Sequence, residues 1–279
     1  MNKISINWIL DIEDYEIDLG VENQIKQFIA DYKEYLTYSH FNIVIISNKL
    51  ENGFQKTLKK YKDFLKDSIN LDGLNYDEWG FALFVPTDLL KDQTKYLIIA
   101  KSHQFLDVSV IHEIFHKIFE KYQFKKEFMP GLYINQGEDF SYYLEEFFVE
   151  FLTVERFSTT IFQTQTKLEN YLKLNQIEIE DLINKTLKIY KEFKLHGGND
   201  LKGLFISFLS CYYILFATWK SGRKINSEFE TPFKQIWNEI VNLEQLSFFK
   251  PVLIELKKIL IEDNVKVITE NVLNLFKRI

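Results

Sequence analysis

The stretch VIHEIFHKIF, residues 110–119, decides how this chain is read. Two histidines, His112 and His116, and a glutamate, Glu113, interrupt Val110, Ile111, Ile114, Phe115 and Ile118. Burying three polar groups in such a run is costly unless something satisfies them. On a helix, residues four apart share a face one turn apart. His112 and His116 can therefore hold one ion between their imidazoles. Neutral imidazole is a good zinc ligand at about 2.0–2.1 Å. Glu113, next to the first histidine, can reach a water bound to that metal. Zinc lowers the pKa of such a water to about 7, and the carboxylate can take its proton as it attacks a carbonyl. The spacing is H-E-x-x-H. The bland alternative is a core helix whose two histidines merely hydrogen-bond.

The flanking sequence favours the metal reading. KYLIIAK (95–101) precedes the run and reads as a strand, giving the helix a sheet to pack on. FNIVIIS (41–47) and GFALFVP (80–86) have the same β-branched and aromatic character, and ISINWIL (4–10) is a further candidate. Residues 21–37 and 52–68 carry apolar side chains at helical spacing, with Phe54, Leu58, Tyr61 and Leu65 on one stripe. Asp107 is the expected N-cap of a helix running to Tyr122, with Lys117 and Lys121 toward its C-terminal end.

After residue 105 no further strand is expected. FMPGLYINQGEDF (128–140) is a connection, and helices follow over 139–158, 165–174, 177–195, 200–219, 228–243 and 246–278. The expected fold class is α+β. An α/β part over residues 1–130, with a small mixed sheet and the 110–119 helix, precedes an all-helical part over 131–279.

The 139–158 helix contains YYLEEFFVEFLTVERF (142–157). Glu146 and Glu150 are four apart on one face, whereas Glu145 lies about 100° away and the residue four after it is Val149. Catalytic zinc commonly takes two histidines and a glutamate plus water. One of these glutamates can bind the metal while another accepts an N–H from a ligand histidine and fixes its tautomer. The competing reading is a solvated helix face.

HEIFH followed by EEFFVEF resembles the zincin metallopeptidases, in particular the gluzincin branch. The resemblance covers residues 80–157 and includes the order of sheet strand, active helix and glutamate helix. It implies that His112, His116 and Glu146 are zinc ligands, Glu113 the general base, and Glu150 the acid supporting a histidine. It further implies a zincin-like fold for the N-terminal part. Lys117 departs from the family, which usually carries an uncharged residue after the second histidine. The gap to Glu146 is longer than in thermolysin-like members, and no third histidine follows as in metzincins.

A donor for a developing oxyanion is also needed. His196 in LHGGND is one candidate, although its glycines equally suit a helix C-cap. Tyr142, Tyr143 and Arg156 are alternatives. His103 reads as a surface-loop residue, and His40 receives no role.

Composition sets limits. With 46% hydrophobic residues in 279, a sizeable core is expected. The 34 basic and 40 acidic residues are interspersed at a net charge of −6, which disfavours nucleic acid as a partner. The one cysteine, Cys211, excludes an internal disulfide framework. The N-terminus turns acidic at once and carries no recognisable signal peptide, so a cytoplasmic location is expected. GLFISFLSCYYILFATW (203–219) is uncharged but short for a membrane span, and a core helix is the expectation. The function expected is zinc-dependent hydrolysis of a peptide bond in a protein or peptide substrate. A non-catalytic zincin-like binding protein and a membrane-associated metalloprotease are the alternatives.

Overall fold

The structure is a computed structural model that describes residues 4–49, 53–69, 71 and 80–120, together with twelve isolated positions between 149 and 274. The chain divides into two compact units, Met1–Lys121 and Tyr122–Ile279. In the second unit, positions 149, 152, 153, 156 and 157 are helical, and Thr153 Oγ1 donates to the Val149 carbonyl at 2.7 Å. Glu145, Glu146, Glu150, Tyr142, Tyr143, His196 and the 203–219 segment lie outside the described residues. Among the described residues, no helix is long and apolar enough to cross a membrane.

Among its described residues the first unit forms a four-stranded mixed sheet with helices on both faces, which gives it the expected α+β character. Its strands are β1 (Ser5–Asp11), β2 (His40–Ile46), β3 (Ala82–Val85) and β4 (Lys95–Lys101). The order is β1-β2-β4-β3, with β1, β2 and β4 parallel and β3 antiparallel to β4. Inner strands of a covered sheet are apolar throughout rather than alternating. From Phe41 to Ile46 of β2 and from Tyr96 to Ala100 of β4, every residue is buried.

Helices α1 (Leu19–Asp31) and α3 (Leu106–Glu120) share one face of the sheet. Phe115 of α3 meets the rings of Phe28 and Tyr32 at 4.9 and 5.8 Å. Helix α2 (Gly53–Lys60) covers the other face, where Phe54 and Leu58 join Val44, Ile46, Leu97 and Ile99.

Three local expectations are corrected. Helix α1 begins earlier, because Asp18 caps it by accepting from the Gly20 and Val21 amides at 2.7 and 3.2 Å. It also stops at Asp31. The chain then turns so that the Thr37 and Tyr38 amides reach Tyr96 Oη at 3.1 and 3.2 Å, a tertiary contact that overrides the helical period. The 52–68 stripe breaks after Lys60. A short 3-10 turn, Lys62–Phe64, leads into an extended Leu65 bridged to Leu90, because Lys66 N and Lys91 N bond the Leu89 and Phe64 carbonyls at 2.9 Å. Asp107 is not the cap of α3 but sits inside its first turn, 6% exposed. Burial pushes its carboxyl above the usual carboxylate range, and the Val108 amide, donating at 3.0 Å, opposes that shift.

Candidate active site

Helix α3 is anchored by what it buries. Val110, Ile111, Ile114, Phe115 and Ile118 are fully buried, each stabilising the packed helix by about 1.5–3 kcal/mol. Ser109, His112, Glu113 and His116 are only half buried, and their spacing of three and four residues makes them one stripe along the helix. The apolar run seen in the sequence therefore surrounds a polar stripe rather than swallowing it.

Within that stripe the two imidazoles converge. His112 Nε2 and His116 Nε2 are 3.2 Å apart, with ring centroids at 4.9 Å and planes at 74°. Two ring nitrogens that close need a proton or a cation between them, because facing lone pairs repel. A metal at about 2.0–2.1 Å from each would subtend an angle of roughly 100°, close to tetrahedral. The pair thus fits as two of a zinc ion's ligands. Among the described residues no third histidine, cysteine, aspartate or glutamate joins them.

Glu113 turns the other way, toward the sheet. Its Oε2 accepts the Phe84 amide at 2.9 Å. The register explains why that amide is offered. Phe81 accepts from Lys101 N at 2.8 Å, so residues 81, 83 and 85 direct their main-chain groups at β4. Ala82 and Phe84 direct theirs away from it. Among the described residues β3 is the outer strand, and Glu113 sits on its outward edge. Lys117, one turn beyond Glu113, is 9% exposed and places Nζ 4.1 Å over the Phe84 ring. Lys117 stands in the last turn of α3, as the sequence suggested, and from there its side chain packs against β3.

His103 lies in the loop between β4 and α3, as the sequence suggested, but is half buried there rather than on the surface. Its ring packs on Phe81 at 4.7 Å, Nδ1 accepts the Phe105 amide at 3.2 Å, and Nε2 lies 3.0 Å from Ser109 Oγ. Burial pushes its pKa down to about 4. The arrangement looks like a serine nucleophile with its base, but the tautomer is wrong for that. A ring whose Nδ1 accepts an amide carries its proton on Nε2, so Nε2 donates to Ser109 and has no lone pair to take a proton. His40 is at an exposed strand start beside Ser5 Oγ and has no part in the stripe.

Sequence reasoning found His112, Glu113 and His116 and missed the Phe84 amide, the packing of Lys117 on Phe84 and the Ser109–His103 pair. Ser109 was within reach of it, since Ser109 lies three and four residues before His112 and Glu113. The Phe84 amide carried no signal, because a main-chain donor has no residue type.

Comparison with protein-family models, with curated proteins and with solved structures gave no match.

Proposed function

We propose that the chain is a zinc metallopeptidase of gluzincin type that hydrolyses a peptide bond in a protein or peptide substrate. The observation that carries this reading is the pair of imidazole nitrogens converging at 3.2 Å beside a glutamate that reaches the sheet edge. His112 and His116 would hold the metal, and on this reading Glu146 would be the third ligand and Glu150 would orient a histidine. Zinc in that position supplies Lewis acidity toward a carbonyl and acidifies a water to a pKa near 7. Glu113 accepts the proton of the attacking water and delivers it to the leaving amine. The outward main-chain groups of Ala82 and the Phe84 carbonyl offer a substrate segment the hydrogen bonds of an added strand. The carboxylate that handles the proton is then already at the edge where the peptide lies.

Zinc content and cleavage of a quenched peptide library test the reading together. The wild type is expected to retain one zinc and cleave, and Glu113→Gln to keep the zinc while losing about 10²–10⁴-fold in rate. A wild type that binds no zinc, or a Glu113→Gln variant as active as wild type, overturns it. Glu146→Ala is expected to abolish zinc retention, Glu150→Ala to weaken it by about 10- to 100-fold, and Glu145→Ala to leave it intact. If none of the three changes zinc binding, the gluzincin assignment fails.

A further inference from the structure

Phe84 is gripped twice by the same helix face. Its amide donates to Glu113 Oε2 at 2.9 Å, and its ring lies under the Lys117 ammonium at 4.1 Å. Glu113 and Lys117 are four apart on α3, so both reach β3 from neighbouring turns. Lys117 and Phe84 are 9% and 7% exposed, so the ammonium–ring contact is shielded from water, where such contacts are strongest. On the far side of the strand, Tyr96 meets the Phe84 ring edge-on at 5.5 Å. The ring is thus fixed between β4 and Lys117, and its own main chain is fixed on the carboxylate.

We infer that Lys117 is a positioning residue, which clamps the outer strand through the Phe84 ring and so holds the Phe84 amide on the Glu113 carboxylate. For catalysis the inference rests on the hydrolase reading above; the clamp itself does not. A carboxylate anchored by a main-chain donor keeps one orientation, which a base must have to meet its water in line. A strand anchored at the same point keeps the substrate edge in register with that base. Lys117 would therefore affect the rate of the chemical step more than the binding of substrate or metal.

Amide hydrogen exchange at residue 84, read by NMR on the full chain, tests the clamp without any activity. The wild-type Phe84 amide is expected to exchange slowly for an outward-facing strand amide. Lys117→Met keeps the apolar stem and is expected to accelerate exchange at Phe84 about tenfold, leaving Leu97 and Ile99 unchanged. Lys117→Arg, which keeps a cation for the ring, is expected to restore protection. Phe84→Leu removes the ring and keeps the amide, and in that background Lys117→Met should add nothing. Unchanged exchange at residue 84 in Lys117→Met overturns the inference, as does equal acceleration throughout the sheet or an additive effect in the Phe84→Leu background. If Lys117→Met does not fold, the comparison of Phe84→Leu with wild type decides, and residue 84 protected as in wild type counts against the clamp. In an active enzyme, Lys117→Met should lower kcat with KM and zinc content unchanged. A responsive amide in a protein that neither binds zinc nor cleaves leaves the clamp and sinks the hydrolase reading. Cleavage with an unresponsive amide does the reverse.

Discussion

At the β1 side of the sheet, polar side chains pair with other side chains, at the surface or partly buried. Asp11 meets Lys60, Ser5 meets His40, and Trp8 Nε1 donates to Glu22 at 3.2 Å. At the β3 side they are drawn inward and held by main-chain groups or rings. Glu113 takes the Phe84 amide, Lys117 lies on the Phe84 ring, and His103 takes the Phe105 amide. Among the described residues both are outer strands of one sheet, so the contrast does not come from strand position. It comes from α3, which packs on both β4 and β3 and carries a polar stripe beside its buried apolar residues. A charged group under a helix is stabilising only with a specific partner, and each partner found here is one that restricts orientation. Restricted orientation suits a site; a surface pair has little of it.

The contrast breaks first at the histidines. His112→Ala should reduce bound zinc from one equivalent to none, and Ser109→Ala should leave it at one; atomic absorption on dialysed protein reads both. Equal zinc in wild type and His112→Ala would make α3 an ordinary core helix.

The next largest effect is expected at His103. Its folded-state pKa, about 4, is below the usual value near 6.5. Between those values the unfolded chain binds a proton that the folded chain refuses. Stability should therefore fall as pH drops from about 6.5 to about 4, by up to about 3 kcal/mol, and be unaffected by this group above that window. Urea unfolding midpoints across that range, in wild type and His103→Gln, measure it. The glutamine variant should have a shallower slope.

On the β1 side the effects should shrink. Asp18→Ala removes the cap of α1 and is expected to cost about 1 kcal/mol in urea unfolding. Asp11→Asn breaks the pairing with Lys60, whose ammonium the Asp11 hydrogen bond holds above its ordinary range. That ammonium is exposed to screening water, so no measurable change in the unfolding midpoint is expected. A large loss from Asp11→Asn would erase the difference between the two edges.

How far the sequence reached depends on the kind of interaction. Strands β2 and β4 were legible from FNIVIIS and KYLIIAK, because burial on both faces writes itself as an unbroken β-branched run. The α3 stripe was legible because helical spacing alone puts His112 and His116 on one face. The ends of α1 and α2 were not. Asp31 and Lys60 are ordinary helix residues, and what stops each helix is a hydrogen bond to a partner far along the chain, Tyr96 for one and Leu89 for the other.

The sequence by itself determined that residues 110–119 form an apolar helix with two histidines and a glutamate on one side, beside a small mixed sheet. Side-chain identity and local period suffice for that, since both are properties of neighbouring residues. Only the tertiary structure decided that Glu113 faces the outer strand, that Lys117 lies on Phe84 rather than in water, and that His103 is a neutral, half-buried donor. The first of these depends on which main-chain amide β3 turns outward. That is set by its antiparallel register with β4, a long-range pairing that no local stretch of residues encodes.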